Sequence, residues 1–463
     1  MSTVYQSPEE MWDTWVLQDG DEYHLFFLSG GSIGHAVSKD LIHWKHLPPI
    51  RNMAKKGDWD AGGMRMTGCT VKHKDKYYLS YGAGIPGTPI GLLESNDLTN
   101  WKRVGDPVLI AQEPYLPDHW RDLSPVWSEA KKRWDGYLFG IHAKTKRGSI
   151  AHVSSKDFLT WTYHEPLFVT EEYNRDNDGF VYLEVPDLFE MGGKYYATFS
   201  SIRSRKTATS GRKDASGTWY VMADKKEGPF RVPENPLLLG TGMGRNDHYV
   251  GRTITYKGER LLYHQNWGDH KVDWSTPKLL QKDKNDELYL KYWSQLDKLK
   301  TKQLLKHESL SVKPETSRRY RELEIKTKVA DFMLTCDIQI KDARSLCIFW
   351  RRNATPYGLK IEPKNETFSI VQLHRRVGHF NSHSFNTLLL DQYANKALCT
   401  GQMGLRLIVR KGRSEVYINE RWIFNVGLKG IPAKGDFSFL ADSGEALIEN
   451  LQIHELEPLT LQK

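Results

Sequence analysis

A chain of 463 residues, 39% hydrophobic and 12% aromatic, is long enough for more than one domain and too rich in core-forming side chains to be disordered. Its net charge of +8 would suit an anionic partner. The lysines, however, concentrate in one acid-mixed stretch, "STPKLLQKDKNDELYLKYWSQLDKLKTKQLLKH", and no basic stripe interleaved with aromatics occurs elsewhere, which argues against nucleic acid. No apolar run approaches a membrane span.

The start, "MSTVYQSPEEMW", lacks the basic and apolar regions of a signal peptide. The expected location is the cytoplasm, with a secreted mature chain as the alternative. Cys69, Cys336, Cys347 and Cys399 have no metal-ligand spacing and read as small core residues, a bridge among the last three staying open. No metal or other cofactor is expected.

Along the first 297 residues two units alternate. One is a polar turn followed by an aromatic strand: "DGDEYHLFFL", "HKDKYYLSYG", "RWDGYLFGIH", "MGGKYYATFS" and "YKGERLLYHQ". The other is "SKDLIHW", "SNDLTNW" and "SKDFLTW", carrying Asp40, Asp97 and Asp157, with a fainter copy at "ADKKEGPFRV". Short alternating apolar runs bounded by Gly, Asp, Asn and Pro are strand and hairpin signals. Five such repeats predict a five-bladed β-propeller over residues 1–297. The recurring Trp44, Trp101 and Trp161 then read as blade-core residues rather than sugar platforms. A Lys- and Leu-rich linker is expected over 298–319. From 320 to 463 the repeat is gone, but strand-like runs continue ("RELEIKTKV", "LCIFWRR", "LRLIVRKGRSEVYINERWIFNV"), predicting a β-sandwich. The fold class is therefore all-β.

In a propeller the first strand of each blade lines the central channel as an edge, which explains how Pro186 is tolerated in "LEVPDLF". Aligning the blade starts brings up Asp13, Thr67, Asp122, Glu184 and Asp247. Carboxylates rarely gather where desolvation and like charge oppose them unless they work there. Local pairing with Arg121, Arg245 or Arg252, or a bound cation, would also hold them. Neither alternative accounts for acids at successive blade starts. Two carboxylates flanking one bond are what glycoside hydrolysis requires.

These segments resemble glycoside hydrolase family 32, the β-fructofuranosidase, invertase and levanase group. "DEYHLFFLSG…GHAVSKDLIHWKHLP" resembles its first blade, "TGCTV" its Ser-Gly-Ser segment and "WRDLSPVW" its Arg-Asp-Pro motif. "LEVPDLF" resembles its Glu-Cys-Pro-Asp motif, "NDHYVGRT" its Asp-Phe-Tyr-Ala segment, and "LRLIVRKGRSEVYIN" a strand pair of its sandwich. The resemblance implies a retaining enzyme acting on a furanoside in an oligosaccharide or small glycoside. Asp13 would be the nucleophile, Asp122 the transition-state stabiliser and Glu184 the acid/base, with Arg121 keeping Asp122 ionised and oriented. Thr67 and Asp247 would contact substrate. The chain departs from the family pattern at Trp12, Leu28 and Ile33, which stand where the family's fructosyl subsite has an asparagine, a glutamine and a tryptophan. Asp60, Arg65 and Asn246 are the polar residues that could replace the lost contacts. Two alternatives remain. One is an inverting, arabinofuranosidase- or xylosidase-like propeller, with Asp13 as base and Asp122 as pKa modulator. The other is a non-catalytic carbohydrate-binding protein. The sequence sets neither sugar, linkage nor oligomeric state. The sandwich is expected to be structural, with Trp350 and Trp422 the aromatics that could carry a sugar.

Overall fold

The structure, a computed structural model, describes residues 3–84, 89–170, 180, 182–202, 216–241, 248–268, 271–314, 320–350, 357–373, 387–427 and 435–459. Four consecutive four-stranded antiparallel sheets form the first blades. Their innermost strands are Trp12–Asp19, Met66–His73, Tyr115–Ser128 and Glu184–Met191. A fifth blade follows from Arg252–Tyr256, Glu259–Tyr263, Lys278–Lys282 and Leu288–Lys291. Its middle strands are broken and run on as Gln265–Gly268 and Lys271–Ser275, and the latter pairs with Thr3–Tyr5. The start of the chain is thereby bonded to the last blade.

The repeated Ser-x-Asp unit makes the same turn three times. Asp40 accepts the N–H groups of Ile42 and His43, Asp97 those of Thr99 and Asn100, and Asp157 those of Leu159 and Thr160. Short polar side chains that bond backbone two or three residues on favour such turns. Leu41, Leu98 and Phe158 take positive φ (62°, 62° and 68°) inside them, and each is buried. Each turn delivers its tryptophan, Trp44, Trp101 or Trp161, into the blade core.

The C-terminal part packs two antiparallel sheets over a core that includes Leu334, Ile338, Leu346, Ile348, Phe437, Phe439 and Ile453. Residues expected to form a linker do otherwise. Lys300–Val312 is a strand at the edge of a sandwich sheet, paired with Ala446–Leu456. Its lysines and glutamates suit an edge strand, where charge blocks unwanted pairing, and that polarity hides the strand from a composition reading. Trp350 and Trp422 are buried, so neither is an exposed sugar platform. Cys336, Cys347 and Cys399 are buried free thiols.

Propeller and sandwich are continuous in hydrogen bonding and in core. Lys291 of the fifth blade pairs with Arg421 of the sandwich, and Tyr292 N–H donates to the Glu420 carbonyl at 2.8 Å. One hydrophobic cluster joins Tyr256, Leu280 and Trp293 to Met333, Ile408 and Tyr417. Buried Arg410 donates to the Thr3 carbonyl at 3.1 Å, fixing the sandwich to the strand that closes the ring.

Candidate active site

The innermost strands of the first four blades are irregular at the blade starts marked by sequence. The ladder slips between Trp12 and Thr14, between Met66 and Cys69, between Arg121 and Ser124, and between Glu184 and Asp187. Pro186 falls within the last slip, so its missing N–H leaves no regular ladder bond unmade. A bulge inserts a residue and re-aims its neighbours. Asp13, Asp122 and Val185 accordingly have φ of 31°, 67° and 52°, and Val250, just before the fifth blade's first strand, has φ of 57°. For β-branched valine this backbone is an outlier. Such strain, of order 1–3 kcal/mol per residue, persists only where the surroundings enforce it.

The bulges turn the side chains of blades one, three and four into one cavity of about 190 Å³, lined by Trp12, Asp13, Met66, Arg121, Asp122, Glu184, Val185, Tyr249, Val250 and Gln265. Thr67 Oγ1 donates to Asp13 Oδ2 in a very short hydrogen bond, and Asp13 N–H donates to Gln265 Oε1 at 2.7 Å. Asp122 Oδ2 accepts the Val185 N–H at 3.0 Å. Both oxygens of Glu184 are held, Oε1 by Arg121 Nη2 at 2.5 Å and Oε2 by the Tyr249 hydroxyl at 2.7 Å. Arg121 is itself seated by the Phe139 ring, 4.7 Å from its guanidinium carbon, and donates to His119 Nδ1 at 2.9 Å.

Burial dominates the electrostatics. It raises the Asp13 carboxyl above the usual range, with Glu184 adding to it and Thr67, Arg252 and Arg121 opposing. Asp122 is pushed up to about 7 by burial, against the pull of Arg121, with Glu184 and Asp13 adding to the rise. Arg121 pulls Asp122 toward its ionised form, and burial outweighs that pull. The Arg121 Nε lies 3.8 Å from Asp122, while its short contact is with Glu184. Burial works against the charge of Arg121, but Asp122 and Glu184 outweigh it and hold the guanidinium protonated. The Tyr249 phenol is driven upward by burial and by Glu184, so it stays a neutral donor.

Of the residues singled out by sequence, Asp13, Asp122, Glu184, Arg121 and Trp12 meet in this cavity, and Thr67 reaches it through Asp13. Leu28 and Ile33 do not line it. They pair with each other, Leu28 also pairs with Trp12, and both are packed with Trp15 and Phe26 in a core shared by blades one and two. Asp247 lies outside the described residues, as does Asn246. Tyr249, Gln265, Met66 and Val250 were not anticipated. Tyr249 stands in the quoted "NDHYVGRT" segment, and Gln265 closes "YKGERLLYHQ", where an amide after an apolar strand was the available signal. Among the described residues no group of three or more His, Cys, Asp or Glu could hold a metal ion.

Residues 16–311 match the profile of the glycosyl hydrolases family 32 N-terminal domain. A levanase of Bacillus sp. (strain L7) is 28% identical over 271 residues, covering 53% of this chain and 28% of that protein. A levanase of Bacillus subtilis (strain 168) is 30% identical over 251 residues, covering 49% of this chain and 34% of that protein. The chain thus spans about a third or less of the length of these curated relatives. A Bombyx mori GH32 beta-fructofuranosidase superposes with a TM-score of 0.72 at 18% identity, covering 99% of this chain and 94% of that one. A sucrose-6-phosphate hydrolase from Lactobacillus gasseri does so with a TM-score of 0.72 at 16% identity, over 99% and 94%. At those identities the likeness is one of fold. With the profile match extending over well more than half its length, the chain belongs to glycosyl hydrolases family 32.

Proposed function

We propose that the protein is a glycoside hydrolase that cleaves a furanosidic, β-fructofuranosidase-like bond by a retaining two-carboxylate mechanism. The observation that carries this reading is the convergence of Asp13, Asp122 and Glu184 on one cavity from three different blades. Glu184 protonates the leaving oxygen as the glycosidic bond breaks, while Asp13 attacks the anomeric carbon. Thr67 occupies Asp13 Oδ2, which leaves Oδ1 for the new bond. Glu184, now a carboxylate, then takes a proton from water as the water displaces Asp13. Asp122, ionised, faces the cationic ring that develops in both steps. Arg121 and Tyr249 fix the orientation of Glu184, so that its proton is delivered along one direction.

The walls of the cavity bear on which sugar enters. Trp12, Met66, Val185 and Val250 are apolar, and the Trp12 indole N–H is directed to Glu10 at 2.7 Å. Asp60, a candidate to restore polar contacts, is buried and held by Arg103 at 2.6 Å and by Tyr81. Arg65 donates to the Gly62 carbonyl at 2.7 Å, and neither Asp60 nor Arg65 lines the cavity. Each sugar hydroxyl left unsatisfied once water is excluded costs roughly 1–3 kcal/mol. Fructosides dense in hydroxyls are therefore expected to be poor substrates, and a less hydroxylated or differently shaped furanoside to be preferred. The test is steady-state hydrolysis of sucrose, inulin, levan, arabinofuranosides and xylosides by the native chain. A kcat/KM below about 10⁴ M⁻¹s⁻¹ on the first three, with a higher value on another furanoside, is the expected result. Hydrolysis confined to xylosides would contradict the furanoside assignment.

A further inference from the structure

A chain of buried polar contacts runs from the sandwich to the backbone of Asp13. It begins at Glu415, fully buried in the strand Arg413–Ile418. Glu415 Oε1 accepts from Lys278 Nζ at 2.9 Å and from Thr276 Oγ1 at 2.7 Å, and Oε2 accepts from the Tyr417 hydroxyl at 2.8 Å. Lys278, equally buried, reaches His264 Nε2 at 3.3 Å. His264 Nδ1 lies 2.9 Å from the Gln265 carbonyl oxygen, so Nδ1 carries the proton and Nε2 accepts from lysine. Gln265 Oε1 then accepts the Asp13 N–H at 2.7 Å.

We propose that Gln265 is a positioning residue for Asp13, and that the sandwich holds Gln265 in place through Glu415, Lys278 and His264. The inference rests on the reading of Asp13 as nucleophile. Its physical basis is the bulge. Asp13 falls in the slip between Trp12 and Thr14 and has φ 31°, so a contact from outside the blade-one ladder must hold its N–H. Gln265 supplies that contact from the fifth blade. Gln265 in turn follows a break in its own strand at His264. The break is clamped on one side by Ser275, whose Oγ accepts the His264 N–H at 3.2 Å and whose N–H donates to the His264 carbonyl at 3.1 Å. On the other side it is clamped by Lys278. The sandwich thus acts on the site without touching substrate.

Two variants of the full chain test this. Gln265→Ala removes the acceptor. Lys278→Met/Glu415→Leu replaces the buried ion pair by apolar side chains of similar volume, a change that buried pairs often tolerate. Crystal structures give a readout that needs no substrate. Asp13 should leave its positive-φ conformation in the first variant, and Gln265 should rotate off the Asp13 N–H in the second. On the best glycoside of the panel above, kcat should fall roughly 10- to 100-fold in Gln265→Ala, with KM within about twofold of native. An Asp13 conformation unchanged in Gln265→Ala overturns the proposal, whatever the rates, and so does a loss carried by KM alone. The nucleophile reading fails separately, if Asp13→Asn keeps native activity.

Discussion

Asp13, Asp122 and Glu184 share a cavity of about 190 Å³ with the Arg121 guanidinium, and burial makes ionisation of Asp13 and Asp122 costly. Asp122 shows the consequence most clearly. Its folded value of about 7 lies above the ordinary value near 4 that it has when unfolded. Between those pH values the folded chain binds more protons than the unfolded one, so stability falls as pH rises from about 4 to about 7. Asp122→Asn keeps an acceptor for the Val185 N–H and removes that charge. It should therefore melt at a higher temperature than the native chain at pH 8, with the gap closing toward pH 5, while kcat falls at least about 100-fold. Thermal denaturation at the two pH values checks this, and an equal gap at both would contradict the burial argument. Asp122 is then a residue whose ionised form serves chemistry at the expense of stability.

At the scale of the strand, the bulge is the device that makes the site. Gly68 sits in the second blade's slip, and its lack of a side chain is required there. A Cβ would come within 2.1 Å of the Ser80 carbonyl oxygen and 3.0 Å of the Trp15 ring. Its own carbonyl accepts from buried Arg252 at 3.0 Å, and its neighbour Thr67 holds Asp13. Gly68→Ala should destabilise the chain by roughly 1–3 kcal/mol through overpacking, read as a lower midpoint in urea denaturation. An unchanged midpoint would show that the close approach is not maintained in solution. Bulges also mark the boundary of what the sequence makes legible. The polar turns, the aromatic strands and the acids at blade starts are periodic, and periodicity exposes them. Tyr249 and Gln265 reach Glu184 and Asp13 across blades, 65 and 252 residues away in sequence, and no local pattern encodes such a contact. Leu28 and Ile33 illustrate the converse. Matching positions to a family pattern suggested that they face the sugar, whereas these apolar side chains are packed into a core shared by blades one and two. Lys300–Val312 escaped notice because edge strands are selected for charge, and charge resembles linker.

For the whole molecule, the decisive feature is that propeller and sandwich share one hydrophobic cluster and a fully buried Lys278–Glu415 pair. Glu415→Ala strands the Lys278 ammonium without its carboxylate and should cost about 3–5 kcal/mol. Lys278→Met/Glu415→Leu removes both charges and should recover most of that loss. Calorimetry of the two variants decides it, and a Glu415→Ala variant as stable as the native chain would mean that Lys278 finds another partner. Because the cluster spans both parts, the destabilised variant should unfold in one transition rather than two. The central claim, that Glu184 delivers a proton to the leaving group in a cavity assembled from several blades, has a direct test in leaving-group dependence. Glu184→Gln and the native chain are compared on a furanoside with an alkyl leaving group and on the same sugar with a nitrophenyl group, which departs without a proton. The account predicts a loss of roughly 10²- to 10⁴-fold in kcat/KM on the alkyl glycoside and a far smaller loss on the nitrophenyl one. Equal losses on both would contradict it.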